Sequence, residues 1–165
     1  MIEPMIEPIF VILGILASVA IPRLAATRED AEISAAVANL RTLVSDASAY
    51  LAVQGSFGNT VTWKQITSVP LTNPGVVATG ATNGNLKVGN VSDCIGVKLV
   101  NKVPFGDKIT PAHIKFTKKN TPTGTCAQVL NAPPVQAYIN STVLNVKNNS
   151  NITNAIAIGS STKIY

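Results

Sequence analysis

The chain has 165 residues, enough for one domain with a modest core. Charged residues make up only 13% of it, about half the usual share, and the net charge is +5. The basic residues are scattered apart from the cluster Lys115, Lys118 and Lys119, a balance that gives weak attraction to anionic surfaces or DNA and is far from a nucleic-acid-binding footprint. Two cysteines and one histidine are too few for a tetrahedral zinc site.

Two regions differ in texture. Residues 1–27 form an apolar segment, and 28–165 read as a globular head, polar and rich in Asn, Thr, Ser and Gly after residue 54. The chain begins MIEPMIEP, a doubled four-residue unit with Glu3 and Glu7. The stretch "IFVILGILASVAIP" (9–22) then carries no charge. Fourteen apolar residues fall short of the roughly 20 that span a bilayer, and the flanking apolar residues bring the run near that length. A cleaved signal peptide fits poorly, because acids rather than basic residues precede the run.

The apolar pattern continues beyond Pro22. Ile33, Val37, Leu40, Val44, Ala47 and Leu51 are spaced 4, 3, 4, 3 and 4, a helical stripe with polar residues on the other faces. Gly55 is a natural C-cap. One helix from about Met5 to Gln54 is therefore expected, roughly 75 Å long at 1.5 Å per residue. Its first half is apolar all round and must be buried in lipid or in other protein. Its second half, about 28–54, is amphipathic.

Further along, "TWKQ" (62–65) reads as a capping box opening a short helical turn. Residues 70–93 are rich in turn signals, and Asn83-Gly84 reads as a hairpin turn. Strands are expected at 94–100 (CIGVKLV) and 113–119 (HIKFTKK). Ile114 and Phe116 fall on one face of the latter, with His113, Lys115 and Thr117 on the other. Weaker strand candidates are 126–130, 142–146, 155–159 and 162–165. The fold class is α+β: an antiparallel sheet, about 86–165, packed on the stripe Ile33–Leu51. If the chain is exported, a Cys94–Cys126 disulfide is the natural reading of the two cysteines, the alternative being two buried free thiols. N-x-S/T sequons at Asn90, Asn140, Asn148 and Asn151 are candidate glycosylation sites, although an Asn- and Thr-rich chain yields such triplets by chance.

The string "ILGILASVAIPRLAATREDAEISAAVANLRTLVSDASAYL" resembles the N-terminal helix of type IV pilins and the related pseudopilins. The resemblance covers roughly residues 9–54. It implies the type IV pilin fold, a long helix whose C-terminal half lies on an antiparallel sheet, with Cys94 and Cys126 tying the distal head. It implies a subunit, with a methylated N-terminus in that family, that sits in the inner membrane and then joins a helical homopolymer of identical subunits outside the cell. Its partners would be the inner-membrane assembly machinery and the prepilin peptidase, with host surfaces or DNA as weaker candidates. Gly14 and Pro22 match the family's helix-weakening positions, which implies that this stretch unwinds on assembly; a plain kink at Pro22 is the alternative.

The family's Glu offsets the cationic N-terminus of a neighbouring subunit and sets axial register, since a carboxylate in an apolar core is costly unless paired. Counted back from Pro22, that position falls on Met5. Matched by local string, it falls on Glu7, and Glu3 is a third candidate. No leader peptide precedes Met1, so a mature or edited chain is expected, with the doubled unit an artefact of assignment.

No G-x-S-x-G, P-loop or H-E-x-x-H pattern occurs, and the lone His113 reads as solvated or structural. The expectation is a structural protein and not an enzyme, without metal or cofactor. The functional expectation is the major pilin of a surface fibre for adhesion, motility, aggregation or DNA uptake. The alternatives are a pseudopilin of a type II secretion system and a membrane-anchored binding module that never polymerises. The major pseudopilins have a shorter head with a calcium-binding loop, whereas Asp93 and Asp107 are the only acids after residue 54 here.

Overall fold

A computed structural model describes residues 6–58, 60–72 and 83–159, with only the backbone at 6–8, 17, 19–26 and 83. The elements run α1 (Ile6–Gln54), α2 (Trp63–Ile66), β1 (Leu71–Thr72), β2 (Asn83–Val88), β3 (Val91–Val100), β4 (Val103–Phe105), β5 (Lys108–Thr110), β6 (His113–Lys118), α3 (Gly124–Asn131), α4 (Pro133–Ile139), β7 (Thr142–Asn145), β8 (Ser150–Thr153) and β9 (Ala155–Ala157). The chain is thus α+β, with a long N-terminal helix and an antiparallel sheet.

The long helix ends where Gly55 takes a left-handed φ of 71° and its N–H bonds the Leu51 carbonyl at 2.8 Å. Its stripe is the buried one. Val37, Leu40 and Ala47 are buried, joined by Ala36 and Leu43, while Ile33, Val44 and Leu51 are half-buried against the same core. The short helix α2 opens as its sequence suggests: the Thr62 N–H donates to Gln65 Oε1 at 2.8 Å. The Thr67 hydroxyl then donates to Asp46 of α1 at 2.7 Å, which fixes α2 to the long helix and leaves Trp63 buried between them and the sheet.

The main sheet has five antiparallel strands in the order β1-β2-β3-β6-β9. The expected alternation appears in β3 and β6. Val97 pairs with Phe116 and Leu99 with Ile114, and all four side chains are buried. Two small antiparallel hairpins, β4–β5 and β7–β8, stand apart from this sheet. The strands expected at 142–146 and 155–159 are present as β7 and β9; 162–165 lies outside the described residues.

Two expectations are corrected. The segment 126–130 is helix, not strand, and belongs to α3. Cys126, Val129 and Leu130 lie at i, i+3 and i+4 and are all buried, a helical stripe that a short apolar run disguises. The helices α3 and α4 contact both α1 and the sheet, so the helical layer covering the sheet is built from three helices rather than one. The second correction concerns Asn83-Gly84, which begins β2 instead of forming a turn. A Cβ at Gly84 would lie 2.8 Å from Leu71 Cδ1 and 3.2 Å from Trp63 Nε1, so this glycine admits the close approach of β1 and Trp63. The turn falls at Gly89-Asn90, where Gly89 has φ 55°.

Candidate functional site

The two halves of α1 differ in what covers them. From Ala36 onward the apolar face is core. From Ile9 to Leu16 the large side chains Ile9, Phe10, Val11, Ile12, Leu13, Ile15 and Leu16 are each 55–67% exposed. Full burial of one such side chain is worth about 1.5–3 kcal/mol, so the uncovered part of these seven corresponds to roughly 10 kcal/mol. An apolar surface of this extent and continuity marks an interaction site. Gly14 sits within it, and nothing lies within 4 Å of the place a Cβ would occupy. The Ser18 hydroxyl is turned back onto the Ile15 carbonyl at 2.8 Å, so it adds no free polar group to the surface. Among the described residues no helix is long and apolar enough to cross a membrane.

The remaining register candidates divide. Glu7 and Pro22 fall within the span of α1 but their side chains, like Glu3 and Met5 altogether, lie outside the described residues. Arg28 is the first charged residue of α1 whose side chain is described, and its Nε pairs with Glu32 Oε1 at 3.2 Å one turn on. Glu29 and Asp30 have no hydrogen-bond or ion-pair partner among the described residues.

In the head, Cys94 of β3 and Cys126 of α3 form the disulfide, with Cα atoms 5.7 Å apart and both residues fully buried. It joins the sheet to the helical layer. A second tie links the end of α1 to the sheet. The Phe57 N–H donates to Asn101 Oδ1 at 2.8 Å and Asn101 Nδ2 donates back to the Phe57 carbonyl at 3.0 Å. Phe57 itself is buried and stacks on Tyr50 of α1, ring centres 5.8 Å apart.

His113 departs from the polar-face expectation, being only 3% exposed. It lies in β6, paired with Val100 of β3 on one side and Ala157 of β9 on the other. Its Nδ1 is 2.9 Å from the Pro111 carbonyl, and since a carbonyl only accepts, Nδ1 carries the proton. Burial holds its pKa below the ordinary value; the Pro111 bond opposes this and nearby Lys115 adds to it. Asp93 is held below its ordinary value by the Lys119 ammonium at 2.8 Å, against a smaller opposing effect of desolvation. The four sequon asparagines, Asn90, Asn140, Asn148 and Asn151, are all exposed, and the last three cluster around the β7–β8 hairpin. Lys118 Nζ donates to the Asn140 side chain at 2.8 Å.

One surface had no counterpart in the sequence reading. The β4–β5 hairpin leaves Val103, Phe105 and Ile109 exposed at 47%, 49% and 45%. The signal for it is the pair Gly106-Asp107 between an apolar triplet and Lys108: Gly106, at the first turn position, has φ 59°, as a two-residue hairpin turn of the II′ type requires. In comparisons with protein-family models, curated proteins and solved structures, nothing matches the chain.

Proposed function

We propose that the chain is the structural subunit of a helical filament of the type IV pilus kind, a major pilin with the pilin fold, and that it works by polymerisation rather than catalysis. The observation that carries this reading is the division of α1. A single helix buries one half in its own head and leaves seven large apolar side chains of the other half uncovered. A surface worth roughly 10 kcal/mol when covered is satisfied by lipid before assembly and by the same helices of neighbouring copies afterwards. On this reading the subunit waits in the inner membrane, is extracted by an assembly machinery, and ends in an extracellular fibre. The amphipathic half and the sheet then form the outer surface of that fibre. The exposed sequons lie on the head and so on the outside. The resemblance of residues 9–54 to pilin helices supports the same assignment.

The test is direct. Full-length chain purified in detergent should form thin filaments when detergent is removed, and electron microscopy should find it along the whole length of fibres sheared from the producing cell. If it yields only monomers or amorphous aggregate, and sheared fibres lack it, the proposal is wrong.

A further inference from the structure

The apolar half of α1 is not the only uncovered apolar surface. The β4–β5 hairpin is anchored at its base and bare at its tip. At the base, the buried Thr110 hydroxyl accepts from the Val146 N–H at 3.1 Å, which pins β5 beside β7. Toward the tip, Val103 and Phe105 lie on one face, paired with Thr110 and Lys108, while Ile109 lies on the other opposite Pro104. Both faces of a two-stranded ribbon therefore present half-exposed large apolar side chains, flanked by Lys102 and Lys108. A two-stranded ribbon has little stability of its own and gains from being covered.

Charge tells what covers it. Beyond residue 54 the head carries ten lysines against two acids, so it repels other heads. The acid must come from elsewhere. Among the described residues Asp93 is paired with Lys119, Glu32 with Arg28, and Asp46 accepts from Thr67. Asp107 sits in the hairpin turn itself. That leaves Glu29 and Asp30 of α1, on consecutive positions, without partners. The exposed face that follows them carries Ala31, Ser34, Ala35 and Ala38, side chains short enough for an aromatic ring to lie against the helix backbone.

We infer that the hairpin of one copy seats on α1 of the next copy, with Phe105 and Val103 over the exposed face at 31–38 and Lys102 and Lys108 facing Glu29 and Asp30. The inference rests on the reading that copies pack side by side. The contact is heterologous, because hairpin and helix face are different patches of one chain, so it propagates copy to copy instead of closing a dimer. It supplies the head with a directional contact separate from the apolar helix core.

The experiment uses the full chain assembled by detergent removal. In the double variant F105C/S34C, mild oxidation should give a ladder of multimers on a non-reducing gel, while F105C and S34C alone give none beyond the dimer. The native cysteines are buried and paired, so they do not contribute. Independently, K102E/K108E should lower the yield of filaments at least tenfold, since like charges then face each other, and adding E29K/D30K should restore it. Unchanged Trp63 fluorescence shows that the variants fold. If wild-type chain forms filaments but the cysteine pair gives no ladder and the second charge reversal restores nothing, the hairpin contact is refuted and the filament reading stands. If wild-type chain forms no filaments, both fall.

Discussion

Removing the Cys94–Cys126 bridge tests how the head is held together. The two cysteines are 32 residues apart in sequence and join β3 to α3. The chain-entropy relation for a closed loop of that size gives about 4 kcal/mol of stabilisation through the unfolded state. Alanine at both positions is the suitable replacement, because serine would bury two hydroxyls. The chain offers its own probe: its one tryptophan, Trp63, is buried between α1, α2 and β2. Urea unfolding of C94A/C126A in detergent, followed by Trp63 fluorescence, should move to a lower midpoint by about 2 M at a slope of about 2 kcal/mol per M. Far-UV circular dichroism should retain the signal of the apolar half of α1, whose described large side chains, Ile9 to Leu16, are exposed and not packed in the head. A midpoint within about 0.3 M of the oxidised wild type would refute the argument that the bridge closes a costly loop.

Leu40→Ala and Val53→Ala separate the faces of one helix. Leu40 is 1% exposed and its truncation should cost about 2–5 kcal/mol, whereas Val53 is 80% exposed and its truncation should stay within about 0.5 kcal/mol, both read by Trp63 unfolding. Gly84→Ala should cost about 1–3 kcal/mol by crowding Leu71 and Trp63, and it should shift the Trp63 emission directly. His113 sets a pH dependence. Its folded pKa lies below the unfolded value of 6.5, so its neutral form costs nothing above that pH, and stability falls as pH drops from 6.5 through the lower folded value; His113→Gln should flatten the unfolding midpoint between pH 5 and 6.5. The paired Asp93 acts lower: its contribution is full above its unfolded value of 3.8 and is lost as pH falls below that, so Asp93→Asn should leave the pH 5–7 profile unchanged. Replacing Glu3 and Glu7 together with alanine should impair filament assembly while leaving Trp63 unfolding as in wild type.

Legibility followed periodicity. The long helix was readable because its apolar positions repeat every three or four residues over five turns and Gly55 ends them. The strands β3 and β6 were readable because Ile95, Val97 and Leu99, and then Ile114 and Phe116, alternate strictly. The pair α3–α4 was not, because eight and seven residues leave room for only two turns each, and "CAQVL" satisfies a strand run as well as a helical one. Tertiary contact with α1 decides between them. Asn83-Gly84 misled for a local reason: glycine suits a turn, and it equally suits a strand pressed against Trp63. His113 alternated correctly, opposite in face to Ile114 and Phe116, but is buried all the same, which alternation within one strand does not reveal. At the candidate site, the apolar run was visible as composition. The β4–β5 hairpin was not, since three-residue strands containing a proline carry almost no period.

The Asn101 side chain, which bonds both the N–H and the carbonyl of Phe57, has a mechanical consequence. A pull along α1 that reaches its C-terminal end passes to the sheet through Gly55–Phe57. There the load meets two hydrogen bonds side by side, to a residue immediately beyond β3, the longest strand of the main sheet. Bonds loaded in parallel share the force and must break together, whereas bonds loaded one after another part like a zip. The Asp46–Thr67 bond lies further back along the helix and ties α1 to α2 by a single hydrogen bond. The junction of helix and sheet is therefore a shear joint, and Asn101→Ala should lower the force at which the head detaches from its helix in single-molecule pulling more than it lowers equilibrium stability.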